Sequence, residues 1–320
     1  MTVITNTVVT TGLAGIREDL EDMIYRVAPE ETVVMSLIGS REKATATYHE
    51  WQTEDLRAPA ANRHLEGDEA TFTALNNPVR VGNQLQIFKE TGLVSRTARQ
   101  VDTAGRDDEF DRQKLLKGIE VRRDVELQVT SNSASIARTG AVAGQSAGIL
   151  AWLTTNVSRG ATGANGGFNA GVVAAATNGT LRQFTEAQLQ DVLQLCFNSS
   201  GMKKNRTAVM GSNLKRRASA FTGIAQIRIP VKNNNMATIV GAADVYSSDF
   251  GEVTLIPHAY SLTRDCLVLD PEMACMAALD GFKTVNLAKT GDADKFQITY
   301  EATLVCKNQK AHGVIADIQP

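Results

Sequence analysis

The sequence predicts an α+β protein built from interleaved segments, and three stretches of its 320 residues carry that prediction. One is a long, densely charged helix from about Arg106 to Thr130. The second is a pair of strand-like runs, Lys43 to Thr53 and Val79 to Val101, joined by a polar tip. The third is Phe296 to Asn308, where Phe296, Ile298, Tyr300, Ala302, Leu304 and Cys306 alternate with Gln297, Thr299, Glu301, Thr303 and Val305, as a long strand requires.

The charged helix acts as a spine. Asp107, Asp108 and Glu109 crowd its first turn, where the positive end of the helix dipole favours them, and no proline interrupts the residues after them. At 1.5 Å per residue it runs roughly 37 Å. Its apolar residues (Phe110, Leu115, Leu116, Ile119, Val121, Val125 and Leu127) scatter around the axis instead of forming one stripe. That pattern suits a rod held by several neighbours, including other subunits. Asp108 with Arg112, and Glu120 with Arg123, are spaced for pairing along the helix.

Taken in order, Met1 to Gly15 is Thr- and Val-rich without helical period and reads as an extended arm or a disordered leader. Ile16, Leu20, Met23, Ile24 and Val27 share one face of an amphipathic helix that stops at Ala28-Pro29. Thr32 to Ile38 is a second apolar run, ending at Gly39. Lys43 to Thr53 alternates, with Ala44, Ala46 and Tyr48 opposite Thr45, Thr47, His49 and Trp51. Arg57 to Ala74, holding Pro59, Asn62, Gly67 and many charges, is a loop tip. The two strands around it make a projecting hairpin, marginal alone in water, with no surface reserved for it in its own subunit.

After the spine, Ser131 to Gly148 is rich in small residues, Ile149 to Leu153 is an apolar turn, and Arg159 to Gly171 is a Gly/Ala/Asn-rich loop. Phe184 to Phe197 is an amphipathic helix with Thr185 as cap, Leu189, Val192, Leu193 and Cys196 as stripe, and Gly201 as stop. Short strands and helices come next at Arg206–Ser212, Asn213–Gly223, Ala237–Gly241, Val253–Pro257 and Cys266–Pro271. Thr290 to Lys295 is a polar turn leading into the long final strand.

The composition excludes several classes. A formal charge of −2 supplies no global basic field for nucleic acid, so any DNA contact is local or weak. Cys196, Cys266, Cys275 and Cys306 lie far apart with no CxxC pair and read as reduced, mostly buried thiols. No apolar run approaches the length of a membrane span, and the N-terminus lacks a signal-peptide pattern.

Gly144-Gln145-Ser146-Ala147-Gly148 matches the nucleophile elbow of hydrolases, with Asp265 or Asp270 and His312 in the order that fold needs, but Ala137 to Ala143 makes a poor β-strand before it. A serine hydrolase using Ser146 is therefore the remote alternative to a flexible Gly/Ser hinge. His49, His64, His258 and His312 are isolated surface or strand residues, so no metal or cofactor is expected. Gly291-Asp292-Ala293-Asp294 opens like a calcium loop, but Thr303 stands where a bidentate Glu is needed, leaving a hairpin turn. Gly160, Gly163 and Gly166 lack the flanking strand and helix of a phosphate loop. Lys215, Arg216 and Arg217 read as a solvated helix face.

Three stretches add a resemblance: KATATYHEWQTEDL (Lys43–Leu56), DVYSSDFGEVTLIPH (Asp244–His258) and LAKTGDADKFQITYEATLVCKNQKAHG (Leu287–Gly313). With the order of elements, they make the chain resemble the major capsid proteins of tailed bacteriophages with the Hong Kong 97 shell fold. The resemblance implies an N-terminal arm (1–40), an extended hairpin loop (41–100), a peripheral domain with spine helix and long strands (101–145 and 281–320) and an inserted axial domain (146–280). It further implies a structural, non-enzymatic subunit without cofactor, self-assembling into pentamers and hexamers of an icosahedral shell around double-stranded DNA.

The shell so implied is a virion capsid assembled in the host cytoplasm. Portal and scaffolding proteins and a decoration protein are the further partners, with weak DNA contacts and no membrane. Since only about fifteen residues precede the first helix, a separate scaffold is expected. Some relatives cross-link Lys to Asn; Lys43 and Lys89 flank the loop here, but no asparagine is assigned as partner. A protein-enclosing nanocompartment of the same fold is the other alternative. The candidate inter-subunit contacts are Tyr48, His49 and Trp51 in the loop strand, Met23, Ile24 and Tyr25 in the arm, and Asp108, Arg112, Arg122 and Arg123 on the spine, the charges setting register more than affinity.

Overall fold

The computed structural model describes residues 28–319 apart from 73, 102, 106–107 and 222–243. The arm residues Met23, Ile24 and Tyr25 and the expected strand Ala237–Gly241 lie outside the described residues. The first half of the chain forms a short helix α1 (Val33–Ile38), strands β1 (Ser40–Lys43), β2 (Tyr48–Thr53), β3 (Val79–Gln84) and β4 (Gln86–Ser95), a one-turn helix α2 (Arg96–Gln100), and the spine α3 (Glu109–Thr130). Then come α4 (Ile149–Trp152), β5 (Val157–Ser158), β6 (Gly167–Asn169), β7 (Val172–Ala174), α5 (Glu186–Ser200), β8 (Arg206–Gly211) and α6 (Ser212–Ala218). The last part is β9 (Val245–Ser248), β10 (Gly251–His258), β11 (Cys266–Leu269), β12 (Ala274–Leu287), β13 (Ala293–Cys306) and β14 (Gly313–Ile315).

Two sheets organise these elements. A four-stranded sheet runs β1-β12-β13-β4, with β1 parallel to β12 and the other pairs antiparallel. The spine helix lies on it, and Phe110 meets Phe296 edge-on with ring centroids 5.2 Å apart. Gly92 is needed beneath that pair, because a Cβ there would stand 2.3 Å from the Phe296 ring. The second sheet has six strands, β5-β14-β11-β8-β10-β9, and α5 covers it through Leu189, Val192, Leu193 and Cys196. That helix begins with a reciprocal capping box between Thr185 and Gln188 and ends at Gly201 in the left-handed region, as its sequence requires.

Several expectations are corrected. The spine begins at Glu109, capped by the Asp108 side chain on the Phe110 amide at 2.8 Å, not at Arg106. Its scattered apolar residues find partners inside the subunit, since α3 touches β4 and β13 on one side and α1, α2 and α4 elsewhere. Leu115 and Leu127 remain exposed. Lys43 to Thr53 is not one strand: β1 joins the four-stranded sheet, the chain bends at Ala46 and Thr47, and β2 pairs with β3. Val79 to Val101 likewise divides into β3, β4 and α2. At the far end, β12 begins at Ala274, and β14 crosses into the six-stranded sheet, so the C-terminal segment does not stay with the long strands.

Candidate functional site: the assembly surfaces

The hairpin β2–β3 pairs in register from Tyr48 opposite Gln84 to Thr53 opposite Val79. Its stem rests on its own subunit, contrary to the expectation of an unsupported ribbon. Trp51 lies 5.3 Å from Trp152, whose ring is stacked at 5.8 Å on Phe168. Lys310 pairs with Asp55 at 2.6 Å. Asn83, fully buried, donates to the Leu304 carbonyl and accepts the Ala147 amide, fixing the stem to β13. A cleft of about 260 Å³ opens between stem and body, with Val79, Val81, Trp152 and Phe168 among its walls.

Beyond Asp55 the chain leaves the body. Leu56, Leu65, Phe72 and Leu75 are 96%, 83%, 96% and 90% exposed. Four large apolar side chains thus stand exposed along one loop, an unusual concentration for a polar tip and one that suits a surface covered by another chain. Having no period, they escape a pattern-based reading of the sequence; their signal is large apolar residues inside an otherwise polar tip.

Among the described residues, the candidate contacts on the loop strand and the spine each have a place within the subunit. Tyr48 is half-buried, and burial with the Glu50 charge raises its phenol pKa. His49 Nε2 lies 3.4 Å from Glu42. On the spine, Arg99 bridges Asp108 and Asp294, tying α2, α3 and β13 together, and its hydrogen bond holds the Asp108 carboxyl below the usual range. Arg112 pairs with Glu109, not with Asp108, and Glu120 pairs with Lys117, not with Arg123. Arg122 sits over the Phe282 ring at 5.5 Å and Arg123 over Tyr260 at 5.3 Å. Of the four spine candidates, Arg122 is the exposed one.

The geometry does not support chemistry at Ser146. Its hydroxyl is buried, receives hydrogen bonds from Asn83 and the Leu304 amide, and shares one with Thr303 at 3.1 Å. His312 is elsewhere: Nδ1 accepts the Asp270 amide and Nε2 donates to the Met273 carbonyl. Burial pushes the His312 pKa down to about 4. His258 is also buried but ends strand β10, as a strand residue, whereas His312 is buried outside any strand and so is neither the surface nor the strand residue expected. Asp292 and Asp294 of the supposed calcium loop pair with Arg96 and with Arg99 and Lys289. Among the described residues no cluster of three or more potential metal ligands occurs, and all four cysteines are buried and free.

Comparison with known proteins bears on what these surfaces are for. The family model described as SU10 major capsid protein matches residues 3–319. The major capsid protein of Escherichia phage Phieco32 is 32% identical over 121 residues, 38% of this chain and 34% of that protein, so the match spans about a third of the curated relative. Among solved structures, the Cyanophage A-1(L) capsid asymmetric unit is similar with a TM-score of 0.68, at 14% identity, covering 99% of this chain and 100% of that one. The capsid of a native GTA particle gives 0.62 at 15% identity, over 98% and 100% of the two chains. A chain from Gordonia phage Cozz gives 0.58 at 12% identity, over 100% and 99%. At these identities the likeness is one of fold: the Hong Kong 97 type.

Proposed function

This chain belongs to the SU10 major capsid protein family, and from that premise we propose that it is the repeating subunit of a tailed-phage shell. Copies associate into pentamers and hexamers that close into an icosahedral container for double-stranded DNA. The observation that carries the reading is the hairpin tip: Leu56, Leu65, Phe72 and Leu75 have no partner surface within the described chain and gain one when a neighbouring copy covers them.

In this reading the arm spans 1–40 and the extended loop 41–100. The peripheral domain (101–145 and 281–320) is the spine with the long strands, to which β1 and β4 at the root of the extended loop add as edge strands, and the axial domain (146–280) is built on the six-stranded sheet, with β14 added to it. Met23, Ile24 and Tyr25 of the arm, the hairpin face with Tyr48, His49 and Trp51, and the spine charges Asp108, Arg112, Arg122 and Arg123 meet neighbouring copies at the edges of these surfaces. A scaffolding protein guides assembly in the host cytoplasm, a portal occupies one vertex, a decoration protein adds to the outer surface, and packaged DNA is held by weak contacts. Membership of a structural capsid family supports a non-catalytic role.

The test is an electron cryomicroscopy reconstruction of particles formed on expression with a scaffolding protein. Density for the tip of one copy seated on another supports the proposal. A tip folded back on its own subunit, or free in solvent in every copy, contradicts it.

A further inference from the structure

Glu126, in the last third of the spine, is fully buried and points at a helix far from it in sequence. Its Oε1 accepts the Val34 amide and its Oε2 the Met35 amide, each at 2.7 Å. These are the amides that an N-cap side chain satisfies, and Thr32, the local cap residue of α1, makes no such bond. Glu126 therefore caps α1 across 92 residues of chain. The same carboxylate also takes a hydrogen bond from His258 Nε2 at 3.0 Å. The Ser261 amide donates to His258 Nδ1 at 3.1 Å, which leaves Nε2 as the ring nitrogen that faces the carboxylate as donor. Ser261 Oγ in turn bonds Thr130 Oγ1 on the spine, and the Tyr260 hydroxyl donates to the Glu31 carbonyl. One buried carboxylate thus joins three bodies: the root of the N-terminal segment, the spine, and the corner after β10.

We propose that Glu126 is a latch, through which the root of the N-terminal segment engages and disengages in an all-or-none step coupled to the β10 corner. The physical reason is the environment of the charge. Withdrawing α1 removes two of the three donors from a carboxylate without solvent access, and a partly satisfied buried charge is far costlier than either a fully bonded or a fully hydrated one. Intermediate positions of α1 are therefore disfavoured, and the state of His258 and Ser261 changes with that of α1. By reciprocity, a partner that draws the arm away loosens the corner, and one that holds the corner retains the arm. Only this last consequence rests on the shell reading; the latch itself is a property of the single chain.

Hydrogen–deuterium exchange on the full chain tests it without reference to particles. Glu126→Gln, which replaces one of the two acceptor oxygens by an NH2 donor and so sets a donor against an amide of α1, is expected to speed exchange of residues 33–38 and of 258–261 at least tenfold while residues 296–306 of β13 are unchanged. Unchanged exchange at 33–38, or acceleration there with none at 258–261, overturns the latch. Should the variant not fold, the unmodified chain answers the same question under conditions where opening limits exchange. A single shared opening rate for 33–38 and 258–261 supports the proposal, and independent rates overturn it.

Discussion

Replacing Leu56 and Phe72 together by serine removes half of the exposed apolar anchors at the hairpin tip. Both side chains are 96% exposed in the single chain, so folding owes them almost nothing, and surface changes of this kind move stability by about 0.5 kcal/mol or less. Covered by a neighbour, each is worth about 1.5–3 kcal/mol on full burial. The pair therefore withdraws up to about 3–6 kcal/mol from every hairpin contact, and half of that if the burial is half complete. At about 1.4 kcal/mol per factor of ten, even the lower figure weakens each pairwise contact about tenfold or more, and a closed shell repeats the loss at every subunit. The assay pairs a thermal melt of the unassembled chain with gradient sedimentation of assembly reactions. The expected result is an unchanged melting temperature with assembly abolished or shifted to much higher protein concentration. A full yield of particles from the double variant, or a melting temperature lowered by several degrees, would refute the assignment of these residues to a neighbour.

Gly92→Ala places a Cβ 2.3 Å from the ring of the fully buried Phe296, so the spine must lift or the ring must turn; a loss of about 1–3 kcal/mol, read as a Tm lower by a few degrees, is expected. His312 is held neutral by burial, its pKa falling from 6.5 to about 4, so between those values the unfolded chain binds the extra proton. Stability accordingly falls as pH drops through that window, by about 3 kcal/mol once complete near pH 4. Denaturation curves at pH 7 and pH 4.5 should converge for His312→Gln relative to the unmodified chain, and parallel losses in the two proteins would count against a buried neutral imidazole. Ser146→Ala removes the acceptor of the Leu304 amide, while Asn83 keeps its bonds to the Ala147 and Leu304 carbonyls, and should destabilise by about 1–3 kcal/mol. Ester hydrolysis lost with that serine would overturn its structural role.

The elements that sequence alone described well are those whose information is local. The helix Glu186–Ser200 carries its own cap at Thr185, its stripe and its stop at Gly201, and the structure keeps all three. The long strand ending at Cys306 is visible because its period of two persists over many residues. The same local rules misjudged the spine's ion pairs. Asp108 and Arg112 are correctly spaced, yet Asp108 bonds Arg99 from α2 because a fixed two-oxygen contact beside Asp294 outweighs a flexible pair along one helix. Non-local pairing was out of reach altogether. Nothing in Gly313–Ile315 announces that it crosses to β11 and β5, and nothing in Ser40–Lys43 announces a parallel partner at Met276–Ala278. Among the candidate contacts, Trp51 carries no mark that separates a side chain resting on Trp152 from one awaiting another subunit. The tip residues do carry such a mark, because large apolar side chains in a polar loop cannot be explained by their own fold.

The central claim is that the folded chain is completed by copies of itself, and the most direct measurement is the particle mass. Mass photometry of the full chain, with and without a co-expressed scaffolding protein and across salt and pH, should show closed particles of many subunits in at least one condition. A single species at 34.4 kDa in every condition would contradict it.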